Sequence, residues 1–167
     1  KVAVKVKREE STALGRMEIE ANWLKVLNKE GIGPRFMFSG ENYLVYRFVE
    51  GEFILDWAED KSESKIKEVL IKVLHQCYQL DKLMVNKEEM HHPQKHVLIG
   101  KNNHITLLDF ERCSRIEKPK NVTQFVEFIS RIDKVNFDKE KLIVLSQEYK
   151  NNLSEESFNK ILSYLQE

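Results

Sequence analysis

Ile105-Thr106-Leu107-Leu108-Asp109-Phe110-Glu111 sets an acid at the end of an apolar strand. Far earlier, Val2-Ala3-Val4-Lys5 sets a lysine at the end of another. Outward from the lysine, residues 2–7 alternate valine with alanine or lysine, a strand pattern. Residues 8–12 form a polar connection. Over 13–28, Leu14, Met17, Ala21, Leu24 and Leu27 recur at spacings of three and four, which predicts a helix with one apolar face. Gly31-Ile32-Gly33-Pro34 ends it, with glycine at the cap and proline just beyond. Residues 35–38 and 43–48 read as strands around a turn at 39–42, and Glu50-Gly51 breaks the run.

Residues 53–59 predict a short helix and 64–84 a long one. In the long one Ile66, Val69, Leu70, Val73, Leu74, Cys77, Leu80 and Leu83 make a continuous apolar stripe. A loop over 86–95 carries Glu88, Glu89, His91, His92 and Pro93. Residues 96–99 and 104–110 then predict a hairpin turning at 100–103. The chain stays polar to Lys120, and helices follow near 122–132, 139–149 and 155–165. Asn121 or Thr123, Asp138 and Ser154 are suited to cap them. Strand, helix, two strands, long helix, loop, hairpin and helices, in that order, place the chain in the α+β class.

Bulk properties narrow the functions. The 167 residues can bury a real core, as one domain or two small lobes. Lysine plus arginine balances aspartate plus glutamate, 27 against 27, without the overall basic footprint of a nucleic-acid binder. Cys77 and Cys113 are too few for a disulfide framework and fit a reducing, cytoplasmic setting. No apolar run approaches the ~18 residues of a membrane span, and no signal peptide is visible. Few prolines and glycines, 3 and 6, argue against linkers or repeats. The sequence opens at Lys1 directly in a strand, which leads us to expect upstream sequence.

A lysine able to neutralise phosphates and an aspartate able to hold magnesium are two of the parts that phosphoryl transfer needs. With Glu20 between them, they resemble the protein kinase signature set. More narrowly, the chain resembles the compact kinase-like proteins of archaea, predicted serine/threonine kinases that sit near RIO-type kinases and the small kinase of the KEOPS tRNA-modifying complex. The residues carrying this are Val2-Ala3-Val4-Lys5, Glu20-Ala21, Gly31-Ile32-Gly33-Pro34, Tyr43-Leu44-Val45-Tyr46 with Glu50-Gly51, Glu88-Glu89-Met90-His91, Pro93, Lys95-His96-Val97-Leu98-Ile99, Asp109-Phe110-Glu111-Arg112 and Pro119-Lys120-Asn121-Val122-Thr123-Gln124-Phe125.

The resemblance implies a protein kinase-like two-lobed fold. A partial small antiparallel-sheet lobe would occupy 1–50, and a compact, mainly helical lobe 51–167. The implied activity is that of an atypical ATP-dependent protein serine/threonine kinase. Lys5 would approach the α/β-phosphates of ATP, and Glu20 would hold Lys5 by an ion pair. The backbone of Arg47, Phe48 and Val49 would meet adenine, with Tyr46 near the rear of the pocket. Asp109 would bind Mg²⁺.

The chain also departs from the pattern. The glycine-rich loop would lie before Lys1. Counting back from Val97-Leu98-Ile99 puts Glu89-Met90-His91 in the catalytic-loop triplet and His96 at its asparagine. His91 therefore stands where the catalytic aspartate belongs. It could accept a hydroxyl proton but not supply a fixed negative charge. Imidazole at His96 suits Mn²⁺ better than Mg²⁺ as a metal ligand. Glu111 replaces a glycine, as a third carboxylate near the metal or as a partner of Arg112 or Arg115, and both readings stand. No Ala-Pro-Glu segment follows, so a protein partner, a small molecule or autophosphorylation suits the chain better than a generic peptide substrate.

Two other classes compete. A pseudokinase would bind nucleotide or act as a scaffold without transfer, and the loss of aspartate at position 91 favours it. An RNA-associated module would use the basic patches Lys5-Val6-Lys7-Arg8 and 115–120, for which solvated surface is the default reading. A zinc site is unsupported, because His91, His92, His96, His104 and Cys113 show no usual ligand spacing.

Overall fold

The computed structural model describes residues 1–6 and 15–167. The expected connection at 8–12, Leu14 and the basic pair Lys7-Arg8 lie outside them. β1 (Val2–Val6), β2 (Phe36–Gly40) and β3 (Tyr43–Arg47) form an antiparallel sheet in the order β1-β3-β2. α1 (Arg16–Leu27) packs against β2 and β3. Its buried face is Met17, Glu20, Ala21, Leu24 and Leu27, an apolar stripe with one acid set into it. The alternation along β1 is inverted for a strand with a buried face. Val2, Val4 and Val6 face outward, while Ala3 and Lys5 turn toward α1.

After α1, a short 3₁₀ turn (Asn28–Glu30) leads to Gly31 at φ 72°, the left-handed cap that the glycine predicts. The Asn28 side chain braces the next stretch. Its amide donates to the carbonyls of Ile32 and Pro34, and its oxygen accepts from the Phe36 N–H.

β4 (Glu52–Phe53) precedes the short α2 (Ile54–Ala58) and the long α3 (Glu63–Lys82). The α3 stripe is buried from Ile66 to Leu80, and Asp81 is buried with it. β6 (Val97–Ile99) and β7 (Ile105–Leu107) make the expected hairpin, with β4 added at its edge. A two-residue ribbon pairs β5 (Val85–Asn86) with β8 (Ser114–Arg115), where the sequence reads as loop and polar tail. Strands of two residues carry no period to detect. α4 (Asn121–Ile129), α5 (Lys139–Asn152) and α6 (Glu155–Gln166) close the helical part, with α3 packed on α4 and α6. Asp138 caps α5 through the N–H groups of Glu140 and Lys141, and Ser154 caps α6 through that of Ser157. Asn121 is no cap. It lies inside the first turn of α4, fully buried. No described helix is long and apolar enough to cross a membrane.

Candidate functional site

β1 and α1 bring the first two groups together. Lys5 reaches from the inner face of β1, and its Nζ lies 2.7 Å from Glu20 Oε2. Glu20 is buried, whereas Glu18 on the same helix is exposed. The other Glu20 oxygen accepts the Phe110 N–H at 3.3 Å, which fixes α1 to the segment after β7. Tyr46 lies across from Ala3 in the sheet register, half-buried on the Lys5 face.

That segment supplies the next two acids. Asp109 adopts φ 66°, a left-handed backbone that a non-glycine residue takes at a cost. The turn buries Phe110 completely and aims the Asp109 carboxylate at Lys5, with Oδ1 2.9 Å from Nζ. Gly33, at φ 78°, makes room for this. A Cβ there would stand 2.9 Å from both Leu24 and the Phe110 ring. Glu111 pairs with neither Arg112 nor Arg115. Its Oε2 lies 3.2 Å from Lys5 Nζ, and its Oε1 3.1 Å from Arg16 Nη1. The ligand oxygens of Glu20, Asp109 and Glu111 all fall within 4.8 Å of one another, with the Lys5 ammonium bonded to each residue.

The loop after β5 approaches from the other side. The N-terminal turn of α4 holds it, because Asn121 Oδ1 accepts the Lys87 N–H and Gln124 Oε1 accepts the Met90 N–H. Lys87 and Met90 are buried, leaving Glu88 and Glu89 outward. Glu89, at φ 71°, pairs with Arg112 and with His96, whose Nε2 is 3.3 Å from Glu89 Oε2. His96 Nδ1 is buried without a hydrogen-bond partner and lies 3.8 Å from Asp109 Oδ2. Thus Glu89, His96 and Asp109 form a line of carboxylate, imidazole and carboxylate. The His91 ring lies instead beside His92, its carbonyl accepting from Arg131. Among the described residues, no carboxylate comes within ion-pair reach of His91.

Charge and burial compete throughout. Burial pulls the Lys5 pKa down, but Glu20 and then Asp109 outweigh it and raise it above the ordinary lysine value. Burial pushes the Asp109 carboxyl up, but the Lys5 bond and charge, with Lys87 and His96 behind them, hold it below the usual carboxylate range. Glu20 is pushed up by burial, with Lys5 opposing. The His96 pKa is depressed by burial and then by Lys87, against the pull of Asp109 and Glu89. The Lys87 side chain is buried with its ammonium 5.5 Å from the Phe110 ring centroid, and burial lowers its pKa.

In the backbone of Arg47 to Val49, expected to meet adenine, two N–H groups are bonded within the chain. Arg47 N–H donates to Arg35 O at 2.8 Å and Phe48 N–H to Lys1 O at 3.3 Å. Val49 is half-buried. Sequence reasoning missed Arg16 and Lys87 as members of the site, and named Glu89 and Arg112 in its motifs without giving them a role. For Glu89 the available signal was Met90, an apolar residue in a polar run that marks a buried anchor beside an outward acid. Counting back from β6 places Glu89 in the catalytic-loop triplet but assigns the aspartate's position to His91.

No family model matches this chain, and no curated protein matches it. Among solved structures it is similar to a chain of the crystal structure of the yeast RNA Pol II CTD kinase CTDK-1 complex, at 15% identity and a TM-score of 0.54. The likeness covers 69% of this chain but 40% of the other, so this chain matches well under half of its neighbour's length. It is a likeness of fold, and it supports a kinase-like arrangement of mixed helix and small antiparallel sheets.

Proposed function

We propose that this chain is an atypical ATP-dependent protein serine/threonine kinase-like phosphotransferase of the compact archaeal kind. The observation that carries the reading is the meeting at Lys5 of Glu20 and Asp109, acids from two distant segments. A lysine held by a buried acid beside a strand-end aspartate supplies what phosphoryl transfer needs, fixed positive charge next to a metal-holding carboxylate. Lys5 would bind phosphate oxygens. Asp109 would hold Mg²⁺ or Mn²⁺, and the orphaned Nδ1 of His96 beside it fits a second ligand atom, which favours Mn²⁺. When bound, the metal ion would neutralise charge on the transferring phosphoryl group.

For the proton acceptor we choose Glu89 over His91. Glu89 is outward, is oriented by Arg112 and His96, and belongs to a loop anchored on both sides by buried residues. A hydroxyl of a protein partner is our choice of acceptor, and the cytoplasm, where the two buried free cysteines stay reduced, our choice of setting.

ATP titration by calorimetry tests the reading. Binding should require Mg²⁺ or Mn²⁺ and disappear in Asp109→Asn. With a phosphate acceptor in hand, Glu89→Gln should lower turnover by about 10²–10⁴-fold, while His91→Ala leaves it nearly unchanged. The second reading, a pseudokinase, is favoured by one observation: all of Lys5's reach is taken up by the chain's own acids. Metal-independent ATP binding, or none, would select it.

A further inference from the structure

Glu111 is the member of the carboxylate group to which the proposed function gives no part. Its carboxylate does not grip a single arginine in a two-pronged pair. One oxygen lies on Lys5 Nζ at 3.2 Å and the other on Arg16 Nη1 at 3.1 Å. Two cations from different elements, bridged by one oxyanion, are arranged as they would be around two oxygens of a phosphate. Arg16 also stands in an unfavourable place by local rules. It opens α1, where the helix dipole disfavours a cation, and Glu111 supplies it with an anion from outside the helix. Lys5 in turn bonds Asp109 at 2.9 Å, so the bridged pair adjoins the acid expected to hold metal. The Arg16 side chain is 42% exposed and that of Glu111 16%, so the guanidinium is open to a ligand while the carboxylate fills the gap behind it.

We infer that Arg16 extends the phosphate-binding site of Lys5, and that Glu111 occupies this site until the phosphates of a nucleotide displace it. Glu111 is then a built-in competitor, and Arg16 a phosphate ligand. A triphosphate carries more charge than one carboxylate and more oxygens to share between the cations, so it competes with Glu111 for them even without metal. The identity of the ligand as nucleotide rests on the proposed function, but the anion site itself does not.

The test separates the two. Inorganic tripolyphosphate is titrated in the presence of a chelator, and ATP with Mn²⁺, into the wild-type chain, Glu111→Gln, Arg16→Ala, Arg16→Gln and Asp109→Asn, each checked for an unchanged circular dichroism spectrum. Glu111→Gln keeps the side chain's shape and should tighten tripolyphosphate binding about tenfold, while both Arg16 variants should weaken it by a similar factor. Unchanged or weaker binding by Glu111→Gln, or Arg16 variants that bind like wild type, would overturn the inference. So would a Glu111→Gln that loses Mn²⁺-dependent ATP binding as Asp109→Asn does, because Glu111 would then be a metal ligand. Tripolyphosphate binding with the expected pattern, but no Asp109-dependent ATP binding, would overturn the kinase-like reading and uphold the anion site.

Discussion

Lys87 is the residue whose placement works most against stability. It is buried over Phe110, and no carboxylate lies within 4.0 Å of its ammonium among the described residues. Burying an unpaired charge is expensive, and the group responds by giving up its proton more easily. Its folded pKa is lowered, chiefly by burial, while the unfolded chain keeps the ordinary 10.5. Between those two values the unfolded state binds more protons, so stability climbs with pH through that window. Lys87→Met should stabilise the chain at neutral pH and flatten that climb, as urea unfolding at pH 7 and pH 10 would show. Lys5 behaves oppositely. Its pKa is raised, so its contribution is present below pH 10.5 and is lost only as pH rises through the folded value. Lys5 was legible in the sequence because it ends an apolar strand. Lys87 was not, because a lysine among Asn86, Glu88 and Glu89 reads as solvated loop. Its backbone N–H is held by Asn121, 34 positions away.

Among the elements, α4 matters most, because its first turn holds the loop that carries Glu89. That turn is itself held from α3. Asp81 Oδ1 accepts the N–H and the side-chain amide of Asn121, and Oδ2 accepts the Val122 N–H and the Tyr149 hydroxyl. Asn121 then passes the constraint to Val85 O and Lys87 N. Asp81→Ala strands several buried donors at once, each costing about 1–3 kcal/mol. The expected loss is at least ~3 kcal/mol in chemical denaturation, with weaker anchoring of the 87–90 loop visible as faster amide exchange at Met90. The helices themselves were readable from their apolar periods. Asp81 continues the α3 stripe one position beyond Leu80, so its phase announced burial even though its chemistry argued for solvent. An acid on an apolar stripe was the available sign of this network. The β5–β8 ribbon left no such sign, since its pairing is made by strands too short to show alternation.

At the scale of the whole molecule, one buried cluster runs from Met17 and Leu24 of α1 through Phe110 to Phe158 and Leu165 of α6. The sheet with α1 and the helical part therefore share a core, and they should unfold together. The two tryptophans give independent probes. Trp23 on α1 donates to Cys113 O at 3.0 Å, and Trp57 is buried on α2. Single-tryptophan variants, Trp57→Phe and Trp23→Phe, should report the same urea midpoint after correction for each substitution's own cost, and separated transitions would mean two folding units. The order of elements carried the fold in the sequence, because each long element has a clean period. The site was harder to read, because its groups come from segments up to 106 positions apart and meet only through the core. The inward turn of Lys5 has one more effect. Seating a lysine against α1 sends Val2, Val4 and Val6 outward at 49%, 57% and 61% exposure on a strand that, among the described residues, pairs on one side alone. An exposed apolar strand edge is a template for another chain's backbone. The same residue choice that assembles the charged cluster thus gives β1 an apolar outer face, suited to packing against another apolar surface.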